Sequence, residues 1–375
     1  MSLLSILLFT LSSLLPSAQK AEIVFAGDAM QHKAQLDAAY DRNDKSYNYH
    51  DCFIDIEPYL TTADYAVVNL ETPVGVRPYT GYPCFSAPES YVDALAFAGF
   101  DMMLTANNHT LDKRDRGLLK TLDALDSRQL AHLGTYRNKA ERDSLSPFIV
   151  PIKGFKVAFL NYTYGTNGIE IQGEPIVNYI NREKIRDEIM QSRKEGAEIV
   201  VVCLHWGNEY ELLPTKSQIS LAEFLSEQGV DAIIGSHPHV IQPMEMRTNS
   251  DGKPMLLVYS LGNFISNMKT RDTRGGAMVR MTLSRDSLGK AQVEGANYRL
   301  VFTIPGNAGD NYKVVPVEQM NHPLWKNHAG AFERSAENIF RKHNKNVPRD
   351  TVPIISKKIT GAEIFLRKRF CELQK

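Results

Sequence analysis

At 375 residues, with 43% hydrophobic and 23% charged side chains, the chain can bury a sizeable core, as one large α/β domain with additions or as two domains. Lysine plus arginine number 43 and aspartate plus glutamate also 43, so the formal net charge is zero. That balance excludes a role built on bulk electrostatics, such as coating nucleic acid, and leaves any anion chemistry to a local site.

The first 16 residues carry no charged side chain, and the small residues Ser17 and Ala18 follow. The run is shorter than the ~20 residues that cross a bilayer, but it suits the core of a signal peptide, although no basic residue precedes it. Residues 1–20 are therefore expected to direct export to the periplasm or the exterior. A retained anchor that holds the chain at the membrane, or a buried first element, is the alternative reading. The first cysteine is Cys52, too distant for lipid attachment at a new N-terminus. Cys52, Cys84, Cys203 and Cys371 are too few for a disulfide framework and contain no Cys-x-x-Cys pair. Cys52 and Cys84 could be bridged after export, whereas Cys203 lies in an apolar run and reads as a buried thiol.

Short bare apolar runs follow in order: 23–26, 66–68, 101–104, 157–160, 199–202, 232–234 and 256–259. Apolar runs without alternation suit strands covered on both faces. Helical spacing between them marks 90–98, 117–127, 182–195 and 217–228, the third solvent-facing with Ile185 and Ile189 as its apolar stripe. Strands alternating with helices predict an α/β layer fold. The proline- and glycine-rich segment from Thr72 to Pro88 reads as a long loop and a candidate substrate rim. Strand-like pieces at 278–284 and 292–304 suggest an antiparallel finish, and the organisation of 321–375 is not evident.

The chemistry lies in what ends the apolar runs. The first leads into Gly27-Asp28, the second into Asn69-Leu70-Glu71, and the third into Asn107-Asn108-His109-Thr110-Leu111-Asp112. Later ones lead into His205-Trp206-Gly207-Asn208-Glu209, Gly235-Ser236-His237-Pro238-His239 and Gly262-Asn263-Phe264. In an open, mostly parallel sheet the carboxyl ends of the strands share one edge, so these groups meet there. Singly each has a plain reading: Gly-Asp is common turn chemistry, and a lone strand-end histidine is commonly a hydrogen-bonded core residue. Together they form a mixed oxygen and imidazole donor set, which suits zinc, manganese or iron, as one or two ions, better than calcium. The His237-Pro238-His239 pair, read as extended backbone, puts two imidazoles on one side of a strand.

These ordered blocks, over about residues 22–267, resemble the CapA family of capsule and poly-γ-glutamate biosynthesis proteins, a branch of the calcineurin-like metallophosphatase fold. The resemblance implies a layered sandwich of mixed β-sheets flanked by helices over residues 21–284. Residues 285–375 would add C-terminal strands and a helical extension packed on that domain. It also implies roles: Asp28, Glu71, Asn108, His205, His237 and His239 as metal ligands, with His109 and Asn108 as catalytic groups. Asn69, Asn107, Glu209 and Asn263 are expected to contact substrate. Two departures stand out. Met30 occupies the place of the first metal histidine, with His32 two residues away, and Asn69-Leu70-Glu71 replaces Gly-Asp-x-x-Asp, which makes Glu71 the candidate bridging carboxylate.

Three functions fit this reading. One is a metal-dependent hydrolase acting on a phosphoester or on an envelope polymer, with water as nucleophile and His109 as acid or oxyanion stabiliser. A second is a binding or assembly protein that holds an anionic envelope polymer in a degenerate site. The third is an anchored subunit of a polymer ligase or export complex, working with other capsule-synthesis proteins.

Overall fold

A computed structural model describes residues 19–306 and 310–354. Residues 1–18 of the expected signal peptide, and Cys371, lie outside the described residues.

Two β-sheets pack face to face. The larger has eight strands, in the spatial order Lys313–Pro316, Ala291–Ile304, Gly275–Arg285, Ala21–Ala29, Tyr65–Leu70, Met102–Leu104 and Ala131–Leu133, with Asn263–Ile265 paired beside the end of Ala21–Ala29. The smaller has six, in the order Met244–Thr248, Pro254–Val258, Ala232–Ser236, Ile199–His205, Phe155–Thr163 and Phe148–Ile152. In each sheet the central pairings that carry the apolar runs are parallel; antiparallel strands finish both edges of the smaller sheet and one edge of the larger, whose other edge strand Ala131–Leu133 is parallel.

Strand periodicity explains the layers. Ile23, Phe25, Val67 and Met102 point from the larger sheet toward Val157, Phe159, Val201 and Cys203 of the smaller, forming the central core. The alternate residues Val24, Ala66, Val68 and Met103 face outward beneath the helix Glu89–Ala98, through Tyr91, Val92 and Leu95. On the other side Val200, Val202, Leu204 and Ile233 are covered by Ile185 and Ile189 of Arg182–Lys194 and by Leu221, Ala222 and Leu225 of Lys216–Glu227. Every central strand is thus buried on both faces, which is why its sequence is uninterrupted apolar.

The layered sandwich of mixed β-sheets flanked by helices that the resemblance implied is present, and the parallel strands divide between its two large sheets. A strand buried on both faces has the same composition whichever sheet it joins. The antiparallel finish is present, and Gly275–Arg285 pairs with Ala291–Ile304 so that the larger sheet runs on past residue 284. In the segment from 321 onward, Lys326–His343 forms an amphipathic helix that sets Ala329, Phe332, Ala336 and Phe340 against the core. The possible Cys52–Cys84 bridge is absent. Cys52 is buried in the outer core and Cys84 points its Sγ at the Asp112 carbonyl, so both are free thiols, as is buried Cys203.

Candidate metal centre

The larger sheet supplies oxygen donors. Asp28 ends the first strand, and a register shift at Gly27 brings it opposite Asn69. Only glycine fits there, because a Cβ on Gly27 would stand 2.0 Å from the Gly262 carbonyl oxygen, which also accepts the Asp28 N–H at 3.0 Å. Asn69 donates from Nδ2 to Asp28 Oδ1 at 2.8 Å and to Glu71 Oε2 at 3.3 Å. Asn107 donates to the Leu70 carbonyl at 2.8 Å and accepts the His109 N–H on its side-chain oxygen, so the turn beyond Met102–Leu104 is locked to the second strand.

The smaller sheet supplies imidazoles. His205 ends its strand opposite Ser236, whose Oγ lies 3.0 Å from Nδ1, and Asn108 Oδ1 lies 2.9 Å from Nε2. His237 and His239 both adopt left-handed backbone, with φ of 98° and 57°. The turn is therefore not the extended segment expected from sequence. Left-handed geometry costs ~1–3 kcal/mol per non-glycine residue, a strain that gathers at functional sites. It turns both rings into the cluster: His239 Nδ1 lies 3.1 Å from Asp28 Oδ2 and 3.0 Å from Asn263 Oδ1.

Two donor groups form around Glu71, besides one of Glu209, His237 and His239. Glu71, His205 and His237 bring ligand atoms within 4.8 Å of one another, and so do Asp28, Glu71 and His239. Glu71 belongs to both, with its Oε1 at 3.6 Å from His205 Nε2 and 3.7 Å from His239 Nε2. That oxygen and His237 Nδ1 are buried without a hydrogen-bond partner. Burial, reinforced by Asp28, pushes the Glu71 carboxyl well above the usual carboxylate range. Burial, with help from neighbouring imidazoles, pushes His205 well below its usual range and His237 down to about 3. Neutral imidazoles with open lone pairs, beside carboxylates that lack a counter-charge, have the donor chemistry of a transition-metal site.

Asp28, Glu71, Asn108, His205, His237 and His239 are thus brought together. The side chain of Met30 is buried, and among the described residues His32 belongs to none of these donor groups. Its Nδ1 is taken up by Gln35 Oε1 and the Asn267 N–H, and burial lowers it to about 4. Of the expected substrate contacts, Asn69, Asn107 and Asn263 are buried and their amides are committed to neighbours, Asn263 also donating to the Thr273 carbonyl. Glu209 alone is exposed, with a carboxylate oxygen within 4.8 Å of His237 and His239 ligand atoms.

Sequence reasoning assigned no role to three contributors. Asp112 Oδ2 lies 2.8 Å from His109 Nδ1 and accepts the Phe85 N–H at 2.7 Å. Its position three residues after His109, on the turn between strand and helix, was the available signal. Ser236 supports His205. Tyr164 lies over the site with its ring 4.6 Å from His237 and parallel to His205. It follows the strand Phe155–Thr163, whose end carries a hydroxyl and an aromatic ring in place of an acid or imidazole. The Thr72–Pro88 loop does border the site, since the Phe85 ring packs edge-on at 4.5 Å from His109.

With this geometry in hand, comparison places the chain among known proteins. The family model described as bacterial capsule synthesis protein PGA_cap matches residues 22–268. The capsule biosynthesis protein CapA of Bacillus anthracis is 31% identical over 242 residues, 62% of this chain and 57% of that protein. The PGA biosynthesis protein CapA of Bacillus subtilis (strain 168) is 28% identical over 244 residues, 64% of this chain and 62% of that one. The chain therefore aligns with less than two thirds of either relative. Among solved structures, the NAD nucleotidase of Haemophilus influenzae covers 95% of this chain and 60% of its own at 12% identity and a TM-score of 0.49, a likeness too loose to carry a functional reading.

Proposed function

The chain belongs to the bacterial capsule synthesis family PGA_cap, and from that premise we propose that it is an exported, metal-dependent hydrolase in the biosynthesis of capsule, poly-γ-glutamate or a related envelope polymer. The observation that carries the proposal is the pair of buried, unpartnered ligand atoms, Glu71 Oε1 and His237 Nδ1, inside a ring of acids and neutral imidazoles. A buried polar atom without a partner costs ~1–3 kcal/mol, so a fold that keeps two of them side by side is built to receive something.

The residues fit manganese, zinc or iron. Glu71, His205 and His237, with Asn108 beside them, would hold one ion, and Asp28, Glu71 and His239 a second, with Glu71 shared. The second group has lost an imidazole at Met30 and would bind more weakly. When bound, the metal supplies Lewis-acid polarisation of a phosphoryl or acyl oxygen and activates water. The chain supplies the rest. Asp112 fixes the His109 ring through Nδ1 and leaves Nε2 to exchange a proton with the leaving group. Asn69 and Asn263 keep Asp28 and His239 aimed inward. Other capsule-synthesis proteins are the expected partners. Residues 1–20 would direct the export. Among the described residues no helix is long and apolar enough to cross a membrane.

Metal analysis of the purified protein, followed by hydrolysis of p-nitrophenyl phosphate with added manganese or zinc, tests the proposal. Bound transition metal and metal-dependent turnover are expected. Absence of both would leave the binding-protein reading in its place.

A further inference from the structure

Around the mouth of the cluster stand three exposed tyrosines, each carried by a different loop. Tyr164 is 49% exposed and lies against the His237 ring. Tyr210 is 56% exposed with its ring 6.4 Å from His239, and Tyr82 is 72% exposed against Phe85, which itself packs on His109. Large aromatic side chains are costly to leave in water, and three of them around one site call for an occupant.

Their placement is built. The Tyr210 N–H donates to the Pro238 carbonyl at 2.8 Å, which pins the loop after Ile199–His205 to the turn that carries both imidazoles. The polar groups between the rings are Glu209, exposed and within 4.8 Å of His237 and His239 ligand atoms, and Asn167, an exposed amide whose oxygen accepts from Asn108 Nδ2 at 3.3 Å.

The groups on the rim decide which occupant fits. Its exposed acid is Glu209, whose carboxylate disfavours a polyanion laid on the rings beside it. An ammonium group gains little over rings this open to water, because cation–π attraction depends on desolvation. A pyranose suits all the features: its apolar face covers a tyrosine ring, and its hydroxyls meet a carboxylate and an amide. We infer that the tyrosine rim is a saccharide subsite, so that the substrate is a glycan-linked phosphoester or acyl group whose sugar lies on Tyr164 and Tyr210 while the reacting group enters the metal centre. This rests on the hydrolase reading for the second half of the statement only, since saccharide binding requires no turnover.

The test is binding, measured by calorimetry on the full chain as purified, with triacetylchitotriose and maltotriose as neutral probes and a γ-linked glutamate oligomer and spermidine as charged ones. At least one neutral saccharide should bind, and Tyr164→Ala and Tyr210→Ala should each weaken it about tenfold, or ~1.4 kcal/mol, while Tyr164→Phe, which keeps the ring face, retains most of the affinity. Melting temperatures of the variants guard against misfolding. Failure of both saccharides to bind, binding indifferent to the tyrosines, or tyrosine-dependent binding of the glutamate oligomer or spermidine instead would each overturn the inference. Loss of metal or of phosphatase activity would overturn the hydrolase reading and leave the binding result standing.

Discussion

Two buried charged clusters in this protein are solved in opposite ways. At the far end of the larger sheet, Arg299 is 1% exposed, and its guanidinium meets Glu318, Asp350 Oδ2 at 3.0 Å, the Val352 carbonyl and the face of Tyr59. Opposite charges within the chain offset each other there. At the metal centre, Asp28 and Glu71 are equally buried, yet the groups around them are imidazoles and amides, with His205 and His237 held neutral by burial, and Glu71 Oε1 is left without a partner. The first cluster is balanced in charge by the protein alone, although Arg299 Nε has no hydrogen-bond partner. The second is complete only with an added cation. Buried ion pairs are weak evidence for function, whereas a buried charge lacking its counter-charge, in a cleft, is a functional signal with a physical cause.

The sharpest way to break this contrast is to remove a ligand. Asp28→Ala and His237→Ala should each weaken the group that loses its ligand by more than the ~10–100-fold in affinity that changes to outer-shell residues typically cost, read as metal lost in elemental analysis after dialysis. Full retention of metal by both variants would sink the ligand assignment. At the other cluster, Arg299→Met should cost ~3 kcal/mol of stability in denaturant unfolding, because Glu318 and Asp350 lose their partner, and should leave metal content unchanged. Third, metal should stabilise the stripped wild type by about 2.7 kcal/mol when free metal is about a hundred times Kd. The same addition should move the unfolding midpoint of His237→Ala by less, because only the weaker group of Asp28, Glu71 and His239 is left to bind.

How much of this contrast the sequence discloses depends on which physical rule each part follows. The strands are legible because burial on both faces demands bare apolar runs such as Ile199-Val200-Val201-Val202, and the donors because polar residues end those runs at one edge. Which sheet each strand joins is not legible, since Val67 and Val201 meet the same kind of environment from opposite layers. The helix Lys326–His343 hides its stripe of Ala329, Phe332, Ala336 and Phe340 among charged residues. The division of labour within the site is also hidden. Asn69, Asn107 and Asn263 have the same side chain as Asn108 and differ only in what surrounds them, and the left-handed turn at His237 is a tertiary outcome with no glycine to announce it. Arg299 likewise reads as an ordinary strand arginine until Glu318 and Asp350 fold against it.

The smallest expected effect is also the one that separates stability from function most cleanly. In the metal-free protein Glu71 is a fully buried carboxyl whose proton affinity is raised by burial and by Asp28. A carboxyl raised in the fold binds its proton more tightly folded than unfolded. Its contribution is therefore fully present below the unfolded value, near 4.5, and is lost as pH rises above it toward the folded value. At neutral pH the stripped wild type carries that penalty. Glu71→Gln keeps the shape, cannot ionise, and can donate to a neighbour, so it should raise metal-free stability by ~1 kcal/mol at neutral pH. The gain should shrink to nothing at about pH 4. The same variant should lose metal and with it the stabilisation that metal gives, so that with saturating metal the wild type becomes the more stable of the two. Urea unfolding at two pH values, with and without chelator, reads all four states. Should Glu71→Gln prove less stable than the stripped wild type at neutral pH, the Glu71 carboxylate is already balanced within the protein, as Arg299 is, and the contrast between the two clusters would fall.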